Sequence, residues 1–228
     1  MSSVAIIPAR GGSKRIPHKN IKDFLGKPII AYSIEAALES GLFDEVMVST
    51  DDAEIASVAS CYGASVPFKR SAQTANDYAT TADVIREVMD CYRKSGKSFD
   101  VLCCLYSTAP FVTQYNLKEA FSKLGEFDSV FTVVRYSYPV QRSLNVRDGK
   151  VGMNYPQFKD SRSQDLEATY HDAGQFYFAR TETFLKEKTL WGSNTGALIL
   201  PELQVQDLDT ETDWKLAEMK YKLLHNLT

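Results

Sequence analysis

The sequence predicts an α/β fold in which a mostly parallel sheet carries helices on both faces. Short apolar runs that suit buried strands alternate with stretches of helical periodicity, a rhythm typical of parallel sheets. The 228 residues are 44% hydrophobic and 24% charged, an ordinary globular composition, and no linker-like stretch divides them. We therefore expect one domain over residues 1–228.

The first strand is predicted at residues 4–7, and the first helix is expected to begin near Pro28 and to stop at Gly41. Its apolar stripe consists of Ile30, Ile34 and Leu38. A strand at 46–49 precedes a second helix. Asp51 is its expected N-cap because Glu54 follows at capping-box spacing, and Gly63 is expected to close it.

A third helix is expected to follow Thr80 or Thr81 and to end near Gly96. A buried strand is predicted at 101–106, a helix after Pro110, and another strand at 130–134. Residues 138–170 lack periodicity, and so long an irregular segment is typical of a functional loop or an interaction arm; we expect both. Strands are then predicted at 175–179 and 205–209. A last helix is predicted from the helical spacing of Trp214, Ala217, Tyr221 and Leu224.

Charge and cysteine content exclude several classes of protein. A formal net charge of −3 argues against nucleic-acid binding, which needs many phosphate-neutralising cations. No window approaches the roughly 18 apolar residues of a membrane span. The four cysteines lack metal-binding spacing and favour a reducing, cytoplasmic location.

The loop from Arg10 to Asn20 follows the first strand directly, where open α/β sheets bind ligands. Gly11 and Gly12 would let backbone N–H groups approach phosphate oxygens, while Arg10 could bind them bidentately. The surrounding cations are Arg10, Lys14, Arg15, Lys19, Lys22 and Lys27. The alternative is a solvated basic turn. The loop matches neither the P-loop nor the dinucleotide fingerprint.

Two further segments carry polar side chains in suggestive patterns. Asp207 and Asp209 end a predicted strand, where alternate carboxylates could share one Mg²⁺, although Asp209 or Thr210 could instead cap the last helix. The segment 169–175 contains His171 beside Asp172. Because neighbouring residues of an extended chain point apart, a polar substrate wall is favoured over a catalytic triad, with a simple turn as the alternative.

The loop at 106–110 follows a predicted buried strand and is expected to face the same crevice as Arg10. Its small hydroxylated residues suit contact with a base or a sugar, and they equally suit a tight turn. Residues 71–81 are by default a surface loop.

Together these residues resemble the CMP-sugar synthetase, or acylneuraminate cytidylyltransferase, family over most of the chain. The matching segments are 7–14 (Ile-Pro-Ala-Arg-Gly-Gly-Ser-Lys), 19–21 (Lys-Asn-Ile), 26–28 (Gly-Lys-Pro), 43–46 (Phe-Asp-Glu-Val), 48–51 (Val-Ser-Thr-Asp), 62–64 (Tyr-Gly-Ala), 66–68 (Val-Pro-Phe) and 207–211 (Asp-Leu-Asp-Thr-Glu). The resemblance implies a Rossmann-like nucleotidyltransferase fold, Mg²⁺ held by Asp207 and Asp209, and a homodimer formed through a protruding arm at residues 138–166.

The resemblance, taken with the loop chemistry, yields two sets of candidate contacts. For CTP they are Arg10, Gly11, Gly12, Ser13, Lys14, Lys19, Asn20, Arg70 and Thr80. For the acidic nine-carbon sugar they are Tyr106, Ser107, Thr108, Arg162, Tyr170, His171 and Gln175. The expected catalytic residues are Arg10, Lys19 and Asp209.

Residues 162–167 and 170–177 look like the branch of the family that acts on pseudaminic acid. The implied reaction is attack of the sugar's anomeric hydroxyl on the α-phosphorus of CTP with release of pyrophosphate. Alternative acceptors are N-acetylneuraminic, legionaminic or eight-carbon ulosonic acids. The rivals from other classes are a non-catalytic nucleotide-binding module and a nicotinamide-dependent dehydrogenase.

Overall fold

A six-stranded mixed sheet forms the centre of the protein in a computed structural model that describes residues 1–227. Within those residues the strands are β1 (Ser3–Pro8), β2 (Asp23–Phe24), β3 (Lys27–Pro28), β4 (Glu45–Ser49), β5 (Val101–Leu105), β6 (Ser129–Arg135), β7 (Leu144–Arg147), β8 (Lys150–Met153), β9 (Tyr170–Arg180) and β10 (Thr195–Leu200). The helices are α1 (Ile29–Ser40), α2 (Ala53–Cys61), α3 (Thr81–Lys94), α4 (Gln114–Ser122), α5 (Thr181–Glu187) and α6 (Glu211–His225). Short 3₁₀ turns connect several of them.

The main sheet has the strand order β10-β6-β9-β5-β1-β4. All neighbours pair in parallel except β9, which runs antiparallel to both β5 and β6. The amino end of β9 therefore lies at the same edge as the carboxyl ends of β1, β5 and β6. Two separate antiparallel ribbons, β2-β3 and β7-β8, complete the pairing.

Helices cover both faces of the sheet, as the sequence predicts. Successive residues of β5 alternate between the two sides: Cys103 joins the core under α1, α2 and α4, and Cys104 joins the core under α3 and α5. A strand covered on both faces needs apolar residues at every position, which explains its unbroken apolar run. Both thiols are fully buried.

A third apolar cluster lies beside the basic loop and is built around α6. Trp214 and Ala217 of that helix pack with Ile16 of the loop and with Leu208, all of them buried. Phe24 of β2 completes the contact, with its ring edge-on to Trp214 at 5.6 Å between centroids. The carboxy-terminal helix therefore holds the loop and the segment around Leu208 against each other.

The structure corrects three of the sequence predictions. Residues 205–209 form no strand; the edge strand beside β6 is β10, where alternate residues such as Leu198 are buried. Buried and more exposed residues alternate along its six positions, as in a strand with one face towards solvent. The N-cap of α2 is Asp52, which accepts from the amides of Glu54 and Ile55, rather than Asp51. Leu38 leaves the predicted stripe of α1 and is 45% exposed.

Candidate functional site

A cavity of about 500 Å³ opens at the edge of the sheet where β1 and β5 end. The lining residues are Pro8, Arg10, Ser13, Lys14, Arg15, Lys19, Asn20, Arg70, Thr74, Asn76, Asp77, Ala79, Thr81, Val84, Tyr106, Ser107 and Thr108. Five of them are cations and Asp77 is the one carboxylate, counted within the described chain. A cavity with this charge balance suits a strongly anionic ligand.

At the mouth of this cavity, Arg10 and Lys14 share one carboxylate partner. Arg10 Nη1 donates to Asp77 Oδ1 and Lys14 Nζ donates to Asp77 Oδ2, each at 2.6 Å. The hydrogen bonds from Lys14 and Arg10 lower the pKa of Asp77. The group that bridges the two cations is therefore a carboxylate at neutral pH.

Lys19 connects the basic loop to the segment that precedes α6. Its Nζ donates to the backbone carbonyl of Leu208 at 2.7 Å. Burial lowers the pKa of Lys19, while Asp209 and Asp207 oppose that effect. A partly dehydrated ammonium so held interacts strongly with a phosphate that enters the cavity.

Arg70 forms the buried cationic wall of the cavity and is only 6% exposed. Its Nε donates to Ser49 Oγ at 3.1 Å and its Nη2 donates to the Ser49 carbonyl at 2.8 Å. Burial lowers the pKa of Arg70, and the nearby charge of Asp51 offsets part of this. Two nitrogens thus anchor the guanidinium to the end of β4, and its planar group is held rigidly against the ligand space.

Asn20 ties the basic loop to the end of β5. Its Nδ2 donates to the Arg10 carbonyl at 2.9 Å, and its Oδ1 accepts from Ser107 Oγ at 2.8 Å. Both residues line the cavity and both are buried. Because their side chains are already paired with each other, they shape the cavity at least as much as they offer hydrogen bonds to a ligand.

Three of the predicted CTP contacts do not line the cavity: Gly11, Gly12 and Thr80. The Gly11 amide donates to Asp51 Oδ1 at 3.1 Å, and a Cβ at Gly11 would lie 2.6 Å from Asp52 Oδ2. That glycine is therefore required for close packing of the loop on α2. Thr80 is the N-cap of α3 in a capping box with Asp83.

Two of the six clustered cations have partners elsewhere. Lys22 pairs with Glu211 at 2.6 Å and lies over the Trp214 ring, and Lys27 pairs with Glu35. Lys22 and Lys27 therefore do not belong to the cationic lining, although the sequence places them close to the other four cations. The four that reach the cavity are Arg10, Lys14, Arg15 and Lys19.

The predicted sugar contacts divide between two places at this edge. Tyr106, Ser107 and Thr108 line the cationic cavity. Tyr170 and His171 are exposed at the amino end of β9, where they pair with Arg135 and Val134 of β6. They lie at the same edge of the sheet but outside the lining of that cavity.

The other two sugar candidates have local partners. Gln175 is 3% exposed; its Nε2 donates to the Gln204 carbonyl, and its Oε1 has no partner within the described chain. Arg162 pairs with Asp165 three residues later. A second cavity of about 570 Å³ lies between the end of β6, residues 163–169 and residues 200–202, and neither Gln175 nor Arg162 is among the residues that line it.

Asp209 is free of helix capping. Thr210 is the N-cap of α6 in a capping box with Asp213, which leaves the Asp209 side chain to pair with Arg15 at 2.6 Å. Asp207 is exposed. No group of three or more His, Cys, Asp or Glu side chains suited to a metal occurs among residues 1–227. The pair offers two carboxylates at one side of the basic loop, although not through the predicted strand geometry.

Sequence reasoning missed the contribution of residues 71–81, which were expected to form a surface loop. Thr74, Asn76, Asp77 and Thr81 all line the cavity. Arg15, noted only as one cation among six, lines it too. The sequence did contain one signal: Arg70 stands directly before a polar stretch that contains the acid Asp77. In the structure Arg70 is buried and Asp77 pairs with Arg10, so this stretch folds over the basic loop.

A parallel-rich α/β sheet with a polycationic cavity at its carboxyl edge defines the class of Rossmann-like nucleotidyltransferases. A family model for cytidylyltransferases matches residues 4–220, so the chain belongs to the cytidylyltransferase family of enzymes. The resemblance drawn from the sequence is thereby confirmed. No helix within residues 1–227 is long and apolar enough to cross a bilayer.

Individual relatives agree with this assignment. The chain is 43% identical over 228 residues to the pseudaminic acid cytidylyltransferase of Campylobacter jejuni, covering 99% of this chain and 98% of that protein. It is 35% identical over 238 residues to the CMP-N,N'-diacetyllegionaminic acid synthase of Legionella pneumophila, covering 98% and 97%. The fold is similar to that of a CMP:2-keto-3-deoxy-manno-octonic acid synthetase complexed with CTP, with a TM-score of 0.70 and 19% identity over the whole of both chains.

Proposed function

We propose that this protein transfers CMP from CTP to the anomeric hydroxyl of pseudaminic acid, a nine-carbon acidic sugar, and releases pyrophosphate. The observation that carries the reaction type is the cavity in which five cations surround the end of β1. The acceptor is supported by the 43% identity to a pseudaminic acid cytidylyltransferase over nearly the full length of both proteins.

In this reaction the hydroxyl oxygen forms a bond to the α-phosphorus, and the bond from that phosphorus to the bridging oxygen of pyrophosphate breaks. The proton of the hydroxyl passes to solvent. Such a transfer depends mainly on positioning and on charge neutralisation. Arg10, Lys14 and Arg70 would bind the phosphates, and Lys19 would stabilise charge that develops around the α-phosphorus.

The acceptor would lie between the hydroxylated loop 106–108 and the amino end of β9. Tyr106 is well placed for this because its ring packs on Tyr177 of β9, with 5.5 Å between the centroids. We retain Tyr170, His171, Gln175 and Arg162 as candidate acceptor contacts. His171 Nδ1 lies 2.9 Å from the Asp172 carbonyl, which fits an orienting role better than that of a general base.

We also propose Mg²⁺ as the metal, held by Asp207 and Asp209 together with the phosphates of CTP. Two carboxylates supplemented by phosphate oxygens and water are the donor set that Mg²⁺ prefers. Asp209 carries no capping function, and a metal ion could take the place of its ion pair with Arg15. When bound, the ion would neutralise phosphate charge and lower the pKa of the attacking hydroxyl.

Asp209→Asn tests the metal proposal. Because Thr210 caps α6, the variant should keep the parent's melting temperature but should need more Mg²⁺ for half-maximal activity. Titrating Mg²⁺ against pyrophosphate release measures this, with Asp90→Asn on the outer surface of α3 as a control of equal charge. An unchanged Mg²⁺ requirement would remove Asp209 from the ligand set.

The hairpin formed by β7 and β8 supports the proposal of a homodimer through the arm at 138–166. In its register Val146 lies opposite Val151 and Leu144 lies opposite Met153, so the four apolar side chains share one face. Val146 and Val151 are 69% and 67% exposed. Because a two-stranded hairpin is marginally stable alone, a second copy of the chain is the natural cover for this face.

The free cysteines support the proposal of a cytoplasmic location. All four are unpaired, and Cys61 is exposed. A reducing compartment keeps such thiols from oxidising.

A pyrophosphate-release assay with CTP tests the reaction and the acceptor together. Pseudaminic acid should give the highest kcat/KM in a panel that also contains legionaminic, N-acetylneuraminic and eight-carbon ulosonic acids. Preference for another acid would replace the acceptor while keeping the reaction. Binding of CTP with no pyrophosphate released from any acid would instead indicate a non-catalytic nucleotide-binding module.

A further inference from the structure

Asp77 occupies an unusual position for an acid in a site that binds polyphosphate. Its carboxylate bridges Arg10 and Lys14, with both contacts at 2.6 Å, and it is the one carboxylate in the described lining of the cavity. The two oxygens of the Asp77 carboxylate contact the guanidinium of Arg10 and the ammonium of Lys14. Two oxygens of one phosphate group would bind these cations in the same way.

The loop that carries Asp77 is held in place at several points along its length. At its start, the Ser71 amide and the hydroxyls of Ser71 and Thr74 donate to the carboxylate of Glu87 on α3. In its middle, Asn76 Oδ1 accepts from the amides of Tyr78 and Ala79 at 2.7 and 3.0 Å. The neighbours of Asp77 thus orient its backbone towards the cations.

The side chain itself is less constrained than its backbone. Asp77 is 44% exposed and Lys14 is 79% exposed, so water can replace these contacts at little cost. A carboxylate presented by an anchored loop but bound only through exposed ion pairs can rotate away when a more highly charged anion arrives.

Resting on the function proposed above, we propose that Asp77 is a built-in competitor for the polyphosphate. Its carboxylate neutralises Arg10 and Lys14 between turnovers, is displaced by the phosphates of CTP, and returns to the same cations as pyrophosphate leaves. The residue thereby weakens binding of both CTP and pyrophosphate and speeds release of the product. No covalent bond to Asp77 forms or breaks in the reaction.

The test measures equilibrium binding of inorganic pyrophosphate and of CTP by calorimetry at low ionic strength. Asp77→Asn keeps the shape and removes the charge, so both ligands should bind about fivefold more tightly than to the parent. Asp90→Asn, which removes one charge from the surface of α3, should change neither affinity. Asp77→Glu keeps the charge and should stay close to the parent.

Kinetics supply a second readout that a merely structural role would not move. Asp77→Asn should lower the KM for CTP and also lower kcat, because slower pyrophosphate release limits turnover. The gain in affinity should shrink at high salt, where exposed ion pairs are screened. Unchanged or weaker pyrophosphate binding by a folded Asp77→Asn protein overturns the inference.

The same experiment separates this inference from the proposed function. Pyrophosphate affinity can be compared between parent and variants whether or not the parent forms a CMP-sugar. A parent that transfers CMP while Asp77→Asn binds pyrophosphate no more tightly refutes only the inference. A parent that binds both ligands but makes no CMP-sugar refutes only the proposed function.

Discussion

The two cavities at the carboxyl edge of the sheet differ in how they are built. The cationic cavity is walled by side chains anchored from behind: Arg70 on Ser49, Asn20 on Ser107, and Lys19 on the backbone of Leu208. The second cavity is bordered by the arm, where Arg162 pairs with Asp165 of its own segment. We call the cationic cavity the preorganised side of the molecule and the second cavity, with the arm that borders it, the open side.

This difference matches the chemistry that each region would perform. Charge stabilisation is effective only when the cations are held in place before the ligand arrives. An acceptor site bordered by the arm can instead be completed by a second chain, since the hairpin leaves its apolar face uncovered. On the proposed function, nucleotide binding would depend on one chain alone, and any acceptor contact at the second cavity would depend on the proposed dimer.

The largest expected effect is on the preorganised side. Arg10→Ala removes a cation at the phosphates and should cost on the order of 3 kcal/mol of transition-state stabilisation, or about 100-fold in kcat/KM. Pyrophosphate release measures this, with Arg86→Ala on the outside of α3 as the control. Turnover within about threefold of the parent would show that the cavity is not the site of transfer.

Next in size is a change on the open side. Val146→Glu places a charge on the apolar face of the hairpin and should weaken dimerisation at least about tenfold, because the carboxylate would have to be desolvated. Sedimentation velocity over a dilution series measures it. Leu223→Glu on the exposed side of α6 is the matched control. The variant should bind CTP normally while its KM for the sugar rises; a dimer that persists removes the arm from the interface.

A smaller effect is expected at the start of α6, the helix that packs against the basic loop behind the cationic cavity. Thr210→Ala removes the N-cap of α6 and should lower the free energy of unfolding by about 1 kcal/mol. Thr212→Ala makes the same chemical change inside the first turn and should stay within about 0.5 kcal/mol of the parent. Urea denaturation of both variants checks the pair. Equal losses would mean that the capping box does not stabilise α6.

The smallest expected effect concerns pH. The pKa of Lys19 is lowered in the folded protein from its ordinary value of 10.5. At pH values between these two pKa values the unfolded chain binds more protons than the folded protein, so this group makes the free energy of unfolding rise with pH. Lys19→Gln removes that contribution. The parent should therefore gain stability relative to the variant as the pH approaches 10.5. Urea denaturation at a series of alkaline pH values measures the difference, which would stay constant if Lys19 were fully hydrated.

Local patterns in the sequence were sufficient for much of the fold. The periodicity of α3 and the apolar run of β5 depend on interactions between near neighbours, and both were predicted. The cap of α6 by Thr210 was left as one of two alternatives. Predictions were wrong where the pattern was ambiguous. The short strand β10, with its alternating burial, was not predicted. A strand was predicted at 205–209 from the apolar Val205 and Leu208, but these two side chains instead pack into separate apolar clusters.

The sequence alone determined the reaction class, through the resemblance of segments such as 7–14 and 207–211 to a known family together with the dense cationic loop directly after the first strand. Only the tertiary structure decided which of those cations face the ligand, since Lys22 and Lys27 turn to partners on α6 and α1. It also brought Asp77, which lies 67 residues after Arg10, onto the same cations. Contacts between residues so far apart depend on how the elements pack, and no local pattern encodes them.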